Sequence, residues 1–127
     1  MSAARPTVAV LGASNNRAKY GNKAVRAYLK QGWDVYPVNP NETKVEGLRA
    51  YPKLDAIPLE RLDRVSFYVP PAVGLTLIDD VAGKQVGEVW FNPGSESPEI
   101  LTRAESLGLN VIQACSILSI GENPSTY

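Results

Sequence analysis

The sequence predicts an α/β fold, a three-layer sandwich in which helices cover both faces of a five-stranded parallel sheet. Two observations support this prediction. Five short apolar runs alternate along the chain with segments whose apolar residues recur at helical spacing, as in parallel sheets built from strand–helix–strand units. The chain has 127 residues, a length that fits one domain with one buried core.

The first two predicted strands flank a helix. Thr7 to Gly12 is an apolar run that ends in glycine, which is typical of a strand buried on both faces. Asn22 to Gln31 carries its apolar residues on one face and is followed by Gly32, as expected for a helix with a glycine at its C-terminal cap. Trp33 to Val38 is the second strand.

The alternation resumes after an irregular segment. Residues 42–62 are interrupted by prolines and predict loop structure, with a short turn of helix near Pro58 to Leu62. The remaining predicted elements are the strands Arg64 to Val69, Glu88 to Phe91 and Leu109 to Gln113, and the helices 72–83 and 97–108. We therefore expect a single domain, 1–127, with a core of about 7–115 and a C-terminal tail at 119–127.

The order of the strands predicts where a ligand binds. Right-handed crossovers and a start in the middle of the sheet give the order 3-2-1-4-5, which makes the fold Rossmann-like. Ligands of such sheets bind at the carboxyl ends of the strands, next to the switch point between strands 1 and 4. The loops that we expect to form the site are 12–21, 39–44, 69–72 and 92–97.

The composition excludes several functions. The chain has no His, which excludes a His general base, a Ser-His-Asp or Cys-His pair, a phosphohistidine and a His-ligated metal. Its one Cys can form neither an intrachain disulfide nor a Cys-rich zinc site, so we expect no metal and a reduced, cytoplasmic compartment. No signal peptide is recognisable, and no apolar run approaches the ~18 residues of a membrane span.

A zero net charge hides an uneven distribution of charge. Residues 1–61 hold ten Lys and Arg against five Asp and Glu, and residues 62–127 hold three against eight. This difference has two interpretations: chance scatter over a solvated surface, or a first half that faces an anionic ligand. The basic residues are spread out rather than clustered, which argues against a nucleic-acid partner.

The loop after the first strand has the residues of a phosphate site. Gly12 permits a tight turn, Ser14 offers a hydroxyl beside backbone N–H groups, and Arg17 and Lys19 add two cations just before a helix N-terminus. In the alternative interpretation, the polar side chains only stabilise the turn and both cations are solvated.

Dinucleotide binding is disfavoured. The Gly-x-Gly-x-x-Gly fingerprint requires glycines where Ser14 and Arg17 stand. It also requires an acidic residue at the end of the second strand to bind the ribose, and this chain has Asn39 and Pro40 there.

The ordered series of short motifs resembles the stand-alone CoA-binding proteins, which are similar to the N-terminal domain of the succinyl-CoA synthetase alpha subunit. The likeness covers about residues 7–115. It is carried by Val-Leu-Gly-Ala-Ser, Lys-Tyr-Gly, Val-Tyr-Pro-Val-Asn-Pro-Asn, Val-Glu-Gly-Leu-Arg-Ala-Tyr-Pro, Ile57-Pro58, Val69-Pro70, Val-Trp-Phe-Asn-Pro-Gly and Gly-Leu-Asn-Val.

The resemblance implies a ligand, coenzyme A or an acyl-CoA, and a set of contact residues. These are Gly12, Ala13, Ser14, Arg17 and Lys19 at the phosphates, Asn39, Pro40 and Lys44 near the nucleotide, Val69, Pro70 and Pro71 beside the adenine, and Asn92, Pro93 and Gly94 toward the pantetheine. Two positions depart from the family. Asn92 stands where Gln is frequent, and Gln113-Ala114 replaces Asp-Arg before Cys115, which we expect to be a small buried residue.

Three functions remain open at this point. The first is a CoA-binding module without catalytic residues, since the related synthetases need a further domain, a partner subunit and a phosphorylated His. The second is an NAD(P)-binding oxidoreductase or regulatory module, because the fold alone does not separate the two. The third is a structural or interaction domain with an idle nucleotide pocket. A protein partner or a homo-oligomer is compatible with all three, and we expect no membrane contact.

Overall fold

The structure is a computed structural model that describes residues 4–127. The first three residues of the expected domain lie outside the described residues. The strands are β1 (Thr7–Leu11), β2 (Asp34–Val38), β3 (Lys44–Val45), β4 (Leu48–Arg49), β5 (Arg61–Phe67), β6 (Gln85–Phe91) and β7 (Val111–Gln113). The helices are α1 (Tyr20–Lys30), α2 (Pro71–Ala82), α3 (Pro98–Ser106) and α4 (Ser116–Ser119), with 3-10 turns at Leu54–Ala56 and Pro124–Thr126.

Five of the strands form one parallel sheet in the order β2-β1-β5-β6-β7. The predicted Rossmann-like α/β fold is confirmed. The place of the third predicted strand needs a correction, because β5 pairs directly with β1, with Val8 opposite Arg64 and Leu11 opposite Phe67. The order 3-2-1-4-5 had placed that strand beyond β2. The switch point of the sheet therefore lies between β1 and β5.

The position beyond β2 is occupied by a single residue. Tyr51 forms one parallel bridge with Val38, and its backbone N–H donates to the carbonyl of Pro37. The segment 42–62 thus contains a rudimentary outer strand, which is too short to produce an apolar run in the sequence. The strand that the sequence predicts as the third corresponds to β5, which lies on the other side of β1.

Two cores lie on opposite faces of the sheet. On one face, α2 and α3 pack over β5 and β6 through Phe67, Ile78 and Ile100. On the other face, α1 and α4 cover β1 through Tyr28 and Ile117. These helices form the outer layers of the predicted sandwich. In the described range 4–127, no helix is both long and apolar enough to cross a membrane.

The largest local differences from the sequence prediction lie before and within β5. The prediction of a helical turn near Pro58 to Leu62 is wrong. The 3-10 turn lies earlier, at Leu54–Ala56, and β5 already begins at Arg61. Leu62 is fully buried, so the strand starts where its first apolar side chain enters the core. The hairpin β3–β4 was not predicted, since each of its strands has only two residues.

The expected C-terminal tail, 119–127, packs against α1. Glu122 accepts hydrogen bonds from Gln31 and from the Tyr127 hydroxyl, and it pairs with Lys30. The hydrogen bonds from Tyr127 and Gln31 lower the pKa of the Glu122 carboxyl. Burial, followed by the bond to Glu122, raises the pKa of Tyr127 to about 12. The chain end is therefore fixed against the last turn of α1.

Candidate functional site

A cleft of about 740 Å³ lies at the carboxyl edge of the sheet, at the switch point between β1 and β5. Its size falls within the usual range of small-molecule and cofactor sites, ~300–1,000 Å³. The loops after β1, β2, β5 and β6 contribute to the cleft, together with the start of α1 and the C-terminal segment. The lining residues are Gly12, Ser14, Lys19, Tyr20, Gly21, Asn39, Phe67, Tyr68, Val69, Pro70, Asn92, Pro93, Gly94, Ser95, Cys115 and Pro124.

Gly12 sets the floor of the cleft. Its φ of +88° lies in the region that L-residues rarely adopt. A Cβ at this position would lie 2.5 Å from the carbonyl oxygen of Tyr68 and 2.8 Å from Cγ1 of Val69. Only glycine allows the loop after β1 to approach the loop after β5 this closely. The prediction that Gly12 permits a tight turn agrees with this geometry.

The loop between β1 and α1 is stabilised by its own side chains. The Ser14 hydroxyl accepts from the backbone N–H of Asn16 at 3.0 Å, and Asn16 Oδ1 accepts from the N–H of Ala18 at 3.1 Å. The amide of Asn22, a fully buried residue, donates to the carbonyl of Ser14 at 2.8 Å. This loop therefore holds one shape before a ligand arrives.

The first turn of α1 carries positive charge and no acidic residue. Lys19 is the N-cap residue, and its side chain makes no capping hydrogen bond. Lys23 lies over the ring of Tyr20 at 5.2 Å. A helix N-terminus already attracts anions through its N–H groups and its dipole, and the two lysines add to that attraction. This end of the cleft is suited to a phosphate.

Arg17 points away from the cleft, although it lies in the same loop. Its guanidinium pairs with Glu46 at 3.3 Å, and the carbonyl of Arg17 accepts from Arg26. Ala13 is fully buried behind the loop. These two predicted contact residues are absent from the cleft lining.

The end of β2 contributes one residue to the cleft. The amide of Asn39 donates to the carbonyl of Ala13 at 2.8 Å, and its Oδ1 accepts from the N–H of Asn41 at 2.8 Å. Asn39 therefore fixes two loops relative to each other. Pro40 and Lys44 lie outside the lining, as does Pro71.

The opposite wall of the cleft is apolar. Val69 and Pro70 follow β5, and both line the cleft together with Phe67. Pro70 is the N-cap of α2 and Pro71 is its first residue, so neither has a backbone N–H to leave without a partner. The two prolines therefore add apolar surface without backbone hydrogen-bond donors.

Asn92 lines the cleft, but its side chain is fully engaged in a buried network. Its amide donates to Ser66 Oγ at 2.8 Å and to the carbonyl of Phe67 at 2.9 Å. Its Oδ1 accepts from the backbone N–H of Ser116 at 2.8 Å. Asn92 thus joins β5, β6 and α4. Any contact of Asn92 with a ligand would come from its backbone, beside Pro93 and Gly94.

Several lining residues were not predicted from the sequence. Tyr68 accepts or donates a hydrogen bond with Ser116 at 2.9 Å, and burial raises the pKa of its hydroxyl, which therefore stays protonated. Cys115 is partly exposed in the cleft, so the expectation of a buried residue is wrong. Pro124 reaches the rim because the C-terminal segment folds back along α1. Of these residues, only Cys115 carried a sequence signal, its place directly after the last strand.

The lining of the cleft has few ionisable side chains. In the described part of the chain, its ionisable side chains are those of Lys19, Tyr20, Tyr68 and Cys115, and no carboxylate is among them. The surface is polar at the α1 end and apolar along Val69. This distribution suits a ligand with phosphates at one end and an apolar, flat portion beside the other wall.

Fold and site together define a Rossmann-like domain with a cleft whose charge at the start of α1 is suited to an anionic ligand. The sequence matches the CoA binding domain family over residues 6–121. The chain belongs to this family, and the predicted resemblance is confirmed.

Similar proteins include whole enzymes and small domains. The alpha subunit of acetate–CoA ligase [ADP-forming] II from Pyrococcus furiosus is 34% identical over 116 residues, which are 83% of this chain and 25% of that subunit. The acetate–CoA ligase [ADP-forming] II of Archaeoglobus fulgidus is 31% identical over 121 residues, 92% of this chain and 18% of that protein. The chain thus spans a quarter or less of these curated relatives.

Among solved structures, a conserved hypothetical protein from Pyrococcus furiosus superimposes with a TM-score of 0.81 at 36% identity. That superposition covers 91% of this chain and 98% of the other. The dinucleotide-forming acetyl-coenzyme A synthetase 1 of Ca. Korarchaeum cryptofilum gives a TM-score of 0.73 at 32% identity, over 84% of this chain and 25% of the synthetase. The same domain therefore occurs both alone and within larger enzymes.

Proposed function

We propose that this chain binds coenzyme A, free or acylated, in the cleft at the carboxyl edge of its sheet. The observation that carries the proposal is the pairing, in one cleft, of an acid-free, lysine-bearing helix start with an apolar proline wall. Membership of the CoA binding domain family supports the same ligand. The single Cys and the absence of His are compatible with a cytoplasmic protein of this kind.

The phosphates are proposed to lie at the loop after β1. Ser14, Lys19 and the N–H groups at the start of α1 face this part of the cleft. The turn is already rigid, so little conformational entropy is lost when an anion binds. Arg17 lies two positions before the lining residue Lys19, and we propose that its side chain reaches the ligand after leaving Glu46.

The adenine is proposed to lie against Val69 and Pro70. An aromatic base buries apolar area against this wall, and Pro70 has no N–H that the base would leave without a partner. The pantetheine then runs past Pro93 and Gly94 toward Cys115 and Pro124. Asn39 and the neighbouring Pro40 and Lys44 are proposed to contact the ligand only at the outer edge of the site.

An NAD(P)-binding module is the second candidate, and the geometry disfavours it. The position that would bind the ribose diol is occupied by Asn39, whose amide and carbonyl groups are both used within the protein. The nearest acidic residue, Glu42, accepts a hydrogen bond from Asn15 at 2.8 Å. The end of β2 thus carries an amide where a dinucleotide would need a carboxylate.

We also propose that the chain is a binding module without catalytic activity of its own. The cleft lining contains no carboxylate and the sequence has no His, so no general base is positioned there. The buried hydroxyl of Tyr68 stays protonated. Steady turnover of an acyl-CoA that a single cleft substitution abolishes would overturn this part of the proposal.

The first prediction compares ligands by thermal unfolding. Because CoA binds only the folded state, CoA at 100 times its dissociation constant adds about 2.7 kcal/mol to the free energy of unfolding. NAD at the same concentration is expected to leave the melting temperature unchanged. Equal shifts with both ligands, or no shift with either, would contradict the proposed function.

The second prediction concerns the cations of the loop. The double substitution Arg17→Ala and Lys19→Ala is expected to weaken CoA binding at least about tenfold, or ~1.4 kcal/mol. It should also flatten the dependence of affinity on salt, because screened charge pairs are lost. Calorimetry at two ionic strengths measures both effects.

A matched control removes the same charge from the opposite edge of the sheet. Arg5 precedes β1, and Arg61 is the first residue of β5. Each makes an exposed ion pair, which contributes little to stability. The double substitution Arg5→Ala and Arg61→Ala should leave CoA affinity and its salt dependence unchanged. If both double variants behave alike, the loop cations are not ligand contacts.

A further inference from the structure

The hairpin β3–β4 lies beside the loop that is proposed to hold the phosphates. Its turn residue Glu46 pairs with Arg17, with 3.3 Å between Oε1 and Nη2. The second carboxylate oxygen, Oε2, accepts from the amide of Asn22 at 3.0 Å. One carboxylate thus links the hairpin to the loop and to α1.

The position of this carboxylate is fixed by the backbone. Val45 is fully buried and anchors the hairpin in the core beside α1. Glu46 has a φ of +49°, the one positive φ of a non-glycine residue in the range 4–127, and Gly47 follows at +78°. Two-residue turns of this kind prefer Asn-Gly. A Glu at the first turn position is therefore unexpected from turn chemistry alone.

The side chain explains the choice of residue. Asn22 is fully buried, and its amide needs an acceptor besides the carbonyl of Ser14. The Glu46 side chain is long enough to accept from this amide with one oxygen and to pair with the exposed Arg17 through the other. Either amide or carboxylate oxygen would satisfy Asn22, but only a carboxylate neutralises the guanidinium.

The ion pair is easily exchanged. The Arg17 side chain is 65% exposed, and one guanidinium nitrogen makes the contact. An exposed pair of this kind is weak. A phosphate carries more charge and more acceptor oxygens than a carboxylate, so it is the stronger partner for Arg17 once it lies in the loop.

We propose that Glu46 is an internal competitor for Arg17. The carboxylate holds the guanidinium outside the cleft until a phosphate of the ligand replaces it, and Glu46 thereby sets the affinity of the cleft for phosphorylated ligands. This inference rests on the proposed function. Glu46 lies outside the cleft lining. It lowers the affinity for the ligand, whereas Arg17 and Lys19 raise it.

The test is a double-mutant cycle between Glu46 and Arg17, with CoA affinity measured by calorimetry. Glu46→Gln keeps an acceptor for Asn22 and removes the charge. It is expected to tighten CoA binding about two- to fivefold, the range of an exposed ion pair. In the Arg17→Ala background, the same substitution should give no gain.

Glu42→Gln is the matched control. Glu42 is a carboxylate beside the same loop, where it accepts from Asn15. Any effect of Glu42→Gln on affinity should be the same with and without Arg17. Coupling of Glu42 to Arg17 equal to that of Glu46 would overturn the inference, because the effect would then be general electrostatics.

The remaining outcomes separate the inference from the proposed function. If the parent chain binds CoA and Glu46→Gln gives no gain, or a gain that persists without Arg17, the inference fails and the proposed function stands. If the parent chain does not bind CoA, the proposed function fails and the inference fails with it.

Discussion

Gly12→Ala is expected to lower the free energy of unfolding by about 2–5 kcal/mol. A positive φ costs an L-residue ~1–2 kcal/mol, and an overpacked contact adds ~1–3 kcal/mol. Both apply here, since the φ is +88° and the new Cβ would lie 2.5 Å from the carbonyl oxygen of Tyr68. Urea unfolding with a constant slope measures the loss directly.

Gly32→Ala separates the two contributions. Gly32 follows α1 with a φ of +82°, nearly that of Gly12, and a Cβ there would have no neighbour within 4 Å. Its substitution should therefore cost only the conformational part, about 1–2 kcal/mol. Equal losses for the two variants would mean that the loop after β5 moves away from Gly12 without cost, and that the close approach is not required.

The same substitution at Gly12 should also impair ligand binding. Tyr68 and Val69 line the cleft on one side and Ser14 lines it on the other. A Cβ inserted between the two loops separates the apolar wall from the phosphate end. The site and the fold therefore depend on the same glycine.

The sequence predicts the long elements well because their patterns are local. The apolar run of β1 and the helix start at Ser97, whose side chain accepts from the N–H of Ile100, were both recognised from residue types and spacing. Gly32 was also recognised, at a helix end where a positive φ is required. Each of these features is determined by residues close together in the chain.

Pairing between distant segments was not predictable in this way. Tyr51 joins the sheet through one bridge to Val38, and no apolar run marks it. The hairpin β3–β4 is equally short. The place of β5 in the sheet depends on which segment takes the outer position, and this choice is made by long-range contacts that leave no local pattern.

The candidate site was predicted in part for the same reason. The loops after β1, β5 and β6 were expected at the cleft, and residues of all three line it. The direction of Arg17 is set by Glu46, 29 positions away, and the use of the Asn92 side chain is set by Ser66 and Ser116. Sequence position predicts which loop a residue occupies, but not what its side chain contacts.

Asn92 connects three elements in the floor of the cleft. Ser66 lies in β5 and is fully buried, as is Ser116 at the start of α4, and their hydroxyls lie 2.8 Å apart. The Asn92 amide donates to the Ser66 hydroxyl and to the carbonyl of Phe67, and its Oδ1 accepts from the backbone N–H of Ser116. Because these hydrogen bonds are buried, loss of the Asn92 side chain would leave their partners unsatisfied.

Asn92→Ala is therefore expected to lower the free energy of unfolding by about 3 kcal/mol, since each buried group left without a partner costs ~1–3 kcal/mol. Asn110→Ala is the matched control. Its amide makes a single exposed hydrogen bond, to the carbonyl of Gly87 at 3.0 Å, so its loss should cost under about 1 kcal/mol. Urea unfolding of the two variants gives the comparison. Similar small losses would show that water enters the floor of the cleft and replaces the Asn92 amide, and the network would then not fix the position of α4 beside the site.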